Sequence, residues 1–149
     1  MILFKRVSNT NPELLQLVSK LDAELKITDG EDHDFYNQFN GLEGIDHLLI
    51  GYFENSPAAC GGFKQYDQTT AEVKRMFTLS EARGKGLARA LLLELEIWAK
   101  NLGFTSLILE TGIRQTAAIA LYEKAGYRRI ENYGPYAQVE DSYCFAKDL

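Results

Sequence analysis

Arg83-Gly84-Lys85-Gly86-Leu87-Ala88 joins a strand-like run, Ala71 to Leu79, to a helical stripe formed by Leu87, Leu91, Leu95, Trp98 and Leu102. A helix that opens on such a turn offers its first backbone N–H groups, which have no partner inside the helix, to an anion. Glycine lets a diphosphate come close to that backbone, and Arg83 and Lys85 add charge beside the positive helix end. Taken alone, the string suits a solvated basic loop better than a binding site, because short glycine motifs occur often by chance. Two phosphate-binding patterns can be tested on it. A P-loop needs Ser or Thr after Gly-Lys, but Gly84-Lys85 continues as Gly86-Leu87. A dinucleotide fingerprint needs a third small residue where Arg89 stands, although Glu110 falls near the place of a ribose-binding acid.

Upstream of the turn, Ile2 to Val7 predicts a first strand. Asn11-Pro12-Glu13 then predicts a capped helix whose apolar face is Leu14, Leu17, Val18, Leu21 and Leu25. Asp29 to Asp34 reads as an acidic connection, and Phe35, Tyr36 and Phe39 as the inner side of a short second helix. His47 to Phe53, Ala58 to Tyr66 and Ala71 to Leu79 predict an antiparallel meander. The central helix is expected over Gly84 to Leu102, with Lys85, Arg89, Glu96 and Lys100 on its wet side. Downstream, Thr105 to Glu110 predicts a strand and Arg114 to Ala125 a helix closed by Gly126. Tyr127 to Glu131 and Ser142 to Lys147 predict two last strands. The order β-α-α-β-β-β-α-β-α-β-β indicates an α+β single domain over residues 1–149, a mixed sheet of about seven strands flanked by four helices.

Composition narrows the partners. A net charge of −5 and a pI near 5.1 argue against coating nucleic acid or an anionic membrane. Lys74, Arg75, Arg83, Lys85 and Arg89 nevertheless form a basic cluster suited to a small anion. Cys60 and Cys144 lack CxxC spacing or a nearby His, so no metal site is expected and both read as buried free thiols. No signal-peptide core or membrane span is evident, which makes a cytoplasmic location the expectation.

The motif Arg83-Gly84-Lys85-Gly86-Leu87-Ala88 matches [QR]-x-x-G-x-[GA] and resembles the start of the central helix in the GNAT superfamily of acyl-CoA-dependent N-acyltransferases. Val73-Lys74-Arg75-Met76-Phe77-Thr78 is similar to that family's fourth strand. Leu109-Glu110-Thr111-Gly112 through Leu121-Tyr122-Glu123-Lys124-Ala125-Gly126-Tyr127 is similar to its next strand and helix. The resemblance spans about Ala71 to Arg128 and implies a fold with acetyl-CoA as acyl donor.

Carried over residue by residue, the resemblance implies that backbone N–H groups of Arg83, Gly84, Lys85, Gly86, Leu87 and Ala88 hold the diphosphate. It places the main chain of Met76, Phe77 and Thr78 along the pantetheine arm, in a slot opened where the strands beginning at Ala71 and Thr105 splay, with an N–H such as that of Phe77 at the oxyanion. Gln115 stands where many relatives carry Asn and is a candidate contact to the cofactor. Tyr122 matches a tyrosine that protonates the departing thiolate, and Glu72 is the candidate base acting through water. A rim tyrosine of the core and a strand-face Glu paired with Lys74 or Arg75 are the structural alternatives, and Glu110 is a weaker candidate base. No cysteine relay is expected, and His33 and His47 read as surface or packing residues.

The acceptor, a small primary amine, is expected between the Asp29 to Phe39 region and the Asn132 to Asp141 loop. Asp29, Glu31, Asp32 and Asp34 would attract it, Tyr36, Tyr133 and Tyr136 would wall it, and Arg75 would suit a substrate carboxylate; a solvated acidic loop and packed aromatics are the alternative reading. An acyl-CoA sensor without catalysis, a peptide or protein acetyltransferase, and a nucleotide-dependent oxidoreductase stay open, as does association into a homodimer.

Overall fold

The computed structural model describes residues 1–39 and 41–149. Seven strands, β1 Ile2–Val7, β2 His47–Phe53, β3 Ser56–Gln65, β4 Thr70–Thr78, β5 Ser106–Gly112, β6 Arg128–Ile130 and β7 Ser142–Asp148, form one mixed sheet in the order β1-β2-β3-β4-β5-β7-β6. The helices α1 Pro12–Asp29, α2 His33–Asn37, α3 Leu87–Asn101 and α4 Thr116–Lys124 fall between them in the order expected. None of the described helices is long and apolar enough to cross a membrane.

Strand alternation divides the core in two. Leu49, Phe63, Val73, Leu107 and Leu109 turn to one face and bury Leu87, Leu91, Leu95 and Ala99 of α3 and Tyr122 of α4. Leu48, Ile50 and Cys60 turn to the other and meet Leu14, Leu17, Val18 and Leu21 of α1. Asn11 caps α1 through its side chain, which accepts from the N–H groups of Glu13 and Leu14.

Some expected boundaries and faces are corrected. The central helix begins at Leu87 rather than Gly84, because Gly84 and Gly86 both hold positive φ, 79° and 78°, which a right-handed helix cannot include. Glu96 is buried rather than wet: the Tyr127 hydroxyl donates to one oxygen and Lys147 to the other, each at 2.9 Å. Leu102, the last residue of the apolar stripe, lies past the helix and is exposed. Helix α1 runs through Asp29, so the acidic connection starts later than the composition suggests.

Gly61 and Gly62 let β3 pack tightly on both sides. A Cβ on Gly62 would stand 2.5 Å from the His47 backbone oxygen and 2.7 Å from Leu48. Gly62→Ala is therefore expected to lower stability by about 3 kcal/mol, seen as a drop in the denaturant midpoint with an unchanged slope. A wild-type midpoint would mean that β2 can yield at this contact.

Strands β4 and β5 pair over only three positions, Thr70 with Ser106, Ala71 with Leu107 and Glu72 with Ile108, and then part. A bulge accompanies the split. Between the pairs Gly62–Lys74 and Cys60–Phe77, β3 contributes one residue and β4 contributes Arg75 and Met76. Arg75 takes a positive φ of 61°. The inserted residue reverses the faces beyond it: Val73 and Met76 pack toward α3, whereas Phe77 joins the α1 side.

Candidate active site

The split between β4 and β5 opens a cleft of about 350 Å³. Met76, Phe77 and Thr78 form one wall, Gln115, Ala118 and Tyr122 the other, and Arg83 and Ala88 lie at its α3 end. Among the described residues, the edge of β4 past Glu72 has no strand partner on this side, so its peptide groups are available to an extended ligand. Gly84, Lys85, Gly86 and Leu87 shape the turn at the end of the cleft rather than lining it. Leu87 is a core residue, which leaves only its backbone for a ligand.

The N-terminus of α3 has no side-chain cap; its N-cap is Gly86 itself. A Cβ on Gly84 or Gly86 would meet nothing within 4 Å, so open space lies above both. Exposed amides, open space and the positive helix end together make an anion cradle. The side chains beside it are already engaged. Arg83 bonds both carboxylate oxygens of Glu24 on α1, at 2.8 and 3.0 Å, and donates from Nε to the Thr78 carbonyl at 3.1 Å. Lys85 lies over the Phe53 ring, 4.9 Å from its centre.

A smaller chamber of about 130 Å³ lies on the α1 side and shares Leu21, Leu25, Met76, Gln115, Ala118 and Tyr122 with the cleft. Asp29, Tyr36, Glu72, Lys74, Arg75, Glu110 and Tyr136 are among its other lining residues. The segments expected to flank the acceptor thus do wall a cavity, through Asp29, Tyr36 and Tyr136. Tyr122 comes from the opposite face of the sheet and reaches both spaces because the strands have parted there. Its ring packs edge-on against Tyr127, and burial raises its hydroxyl pKa, so it keeps its proton at neutral pH.

The chamber's carboxylates differ in their surroundings. Glu72 accepts from the Tyr133 hydroxyl at 2.6 Å and pairs with Lys74 at 3.5 Å. Glu110 accepts from the Ser142 hydroxyl at 2.7 Å, and burial pushes its pKa up to about 7. Asp29 is also raised by burial. Arg75 pairs with Asp22, and its buried Nε has no partner among the described residues; the same holds for Gln115 Nε2. Of the four acidic residues expected to attract the amine, Asp29 lines the chamber, since it follows Leu21 and Leu25 at intervals of four along the same helical face, and Glu31, Asp32 and Asp34 do not line it. His47 stacks on Phe63 at 4.8 Å, a packing role as expected.

The family model for the acetyltransferase (GNAT) family matches residues 14–127. The chain belongs to the GNAT acetyltransferase family. As a GNAT protein it is an acyltransferase enzyme, and its relatives agree with that over nearly its whole length. An IAA acetyltransferase of Azospirillum brasilense is 31% identical over 146 residues, covering 97% of this chain and 95% of that protein. A crystal structure of a Klebsiella pneumoniae protein assigned as an acyl-CoA N-acyltransferase superposes with a TM-score of 0.85 at 28% identity, covering 100% of this chain and 98% of the other. A GNAT acetyltransferase of Elizabethkingia anophelis, solved with acetyl-CoA bound, has the same fold, with a TM-score of 0.73 at 20% identity and coverage of 99% and 98%.

Proposed function

We propose that this GNAT enzyme moves the acetyl group of acetyl-CoA to the primary amine of a small molecule, with both substrates bound together. The observation that carries this reading is the meeting of two cavities at Tyr122 and Met76. One ends at an uncapped helix N-terminus, suited to a diphosphate, and the other holds buried carboxylates, suited to an ammonium. Acetyl-CoA supplies an acyl group activated as a thioester. The cradle at Gly84 to Ala88 holds its phosphates, the open edge at Met76, Phe77 and Thr78 aligns its arm, and Gln115 has an unused donor near the junction.

Direct transfer moves protons at both ends. The ammonium must lose one proton before its nitrogen can form the new N–C bond, and the nitrogen loses a second as the C–S bond breaks and the sulfur gains one. Tyr122 is the donor to sulfur. For the base, Glu72 and Glu110 compete. Glu110 is the better placed of the two: it has a single hydroxyl donor and a pKa near neutrality, whereas Glu72 is held by both Tyr133 and Lys74. A cysteine relay has no support, since Cys60 and Cys144 line neither cavity and burial lifts their thiols to about 12 and about 11.

The reading is tested by acetyl-CoA consumption over a panel of amines, and no turnover with any of them would sink it. The base assignment makes its own prediction. kcat/KM should rise through pH 7 as Glu110 ionises, and Glu110→Gln should remove that limb. Stability should move the opposite way. The folded pKa lies above the ordinary 4.5, so the fold opposes ionisation and loses about 3 kcal/mol as pH rises from 4.5 to about 7. Urea midpoints of wild type and Glu110→Gln across that window check the sign; parallel curves would refute it.

A further inference from the structure

The chamber carries two poles on opposite banks of the split. Glu110 comes from β5 and Asp29 from the end of α1, and neither is in an ion pair among the described residues. Lys74 and Arg75 come from β4. Lys74 is taken up by Glu72 and by the Tyr136 hydroxyl at 3.3 Å. Arg75 is different. Its side chain is only 3% exposed, and among the described residues Asp22 engages Nη2 alone and Nε is buried without a partner.

A guanidinium donor buried without an acceptor is costly, and Arg75 bears a second cost in its left-handed backbone at the bulge. The first is offset if the guest supplies an oxygen. The free carboxylates across the chamber call for a cation in the same guest. A diamine would satisfy Asp29 and Glu110 but leave Arg75 Nε without an acceptor. A simple acid would satisfy Arg75 and be repelled by the opposite bank. A molecule with both charges a few atoms apart fits both banks, and the small chamber limits its size.

We propose that the acceptor is a small α-amino acid, its ammonium against Glu110 and Asp29 and its carboxylate on Arg75, which makes Arg75 the residue that sets acceptor specificity. The proposal rests on the acetyl-transfer reading and narrows its substrate. In the reaction the ammonium first yields one proton to the Glu110 side, and the freed amine forms the N–C bond. As the C–S bond breaks, the sulfur takes a proton from Tyr122 and the nitrogen gives up its second proton, which restores Tyr122, so charges and atoms balance.

The test measures thiol release from acetyl-CoA by the full-length enzyme with matched sets: each free amino acid, its decarboxylated amine and its amide. The expected result is a kcat/KM at least about 100-fold higher for the amino acid than for the matched amine, expressed mainly in KM. Arg75→Met should bring that ratio close to one. Equal or better turnover of the amines or amides overturns the amino-acid assignment and leaves acetyl transfer standing. No turnover of any amine overturns the underlying reading and this one with it. If Arg75→Met does not fold, shown by a lost melting transition, the wild-type ratios alone decide.

Discussion

Gly86→Glu is expected to abolish the rise in Tm that acetyl-CoA gives to the wild-type protein. The position is the N-cap of α3, at φ 78°, with nothing within 4 Å of the place a Cβ would take. A glutamate there projects into the space assigned to the diphosphate. At about 4 Å and an effective dielectric near 20, one added like charge costs about 4 kcal/mol, roughly a thousandfold in affinity. The fold itself should survive. The strain of a non-glycine residue at this φ is about 1 to 2 kcal/mol, and a carboxylate beside a helix N-terminus offsets part of it. Gly86→Ala separates the two effects, because it bears the strain without the charge and should still show a ligand-induced shift. A full shift in Gly86→Glu would remove the cradle from the donor site.

Tyr122→Phe should lower kcat by about 100-fold while KM for acetyl-CoA changes by less than about threefold. Phenylalanine keeps the ring contacts with Tyr127 and Phe145, at 5.8 and 6.1 Å between centres, so the wall between the cavities is preserved. Only the hydroxyl, the proposed proton donor, is lost. Steady-state kinetics with the best amine of the panel give the split between the two constants. An unchanged kcat would make Tyr122 a packing residue, and an equal rise in KM would make it a binding one.

Much of this arrangement is legible in the residues. β1 and β2 fall on their expected bounds, since Ile2 to Val7 and His47 to Phe53 are short apolar runs closed by turn formers. The placement of Tyr122 and of the turn at Gly84 to Gly86 follows from the resemblance to the GNAT motifs, not from spacing alone. The bulge at Arg75 and Met76 does not, because no glycine, asparagine or proline marks it; the extra residue shows only once β3 supplies the register. Glu96 was misplaced for a similar reason. Its helical position points to water until Tyr127 and Lys147, far along the chain, come to enclose it. The raised pKa on which the proposal for Glu110 draws is not legible in sequence, because burial, which sets it, is a property of the assembled chamber.

The two cavities are made from different materials. The cleft proposed for the donor is built of peptide groups: the open edge of β4 and the amides at the start of α3. The chamber proposed for the acceptor is built of side chains such as Asp29, Arg75 and Glu110. Point substitution therefore acts on them unequally. Exchanging chamber side chains leaves the peptide scaffold of the cleft in place, so on this assignment acceptor choice can be re-engineered without rebuilding the grip on the donor.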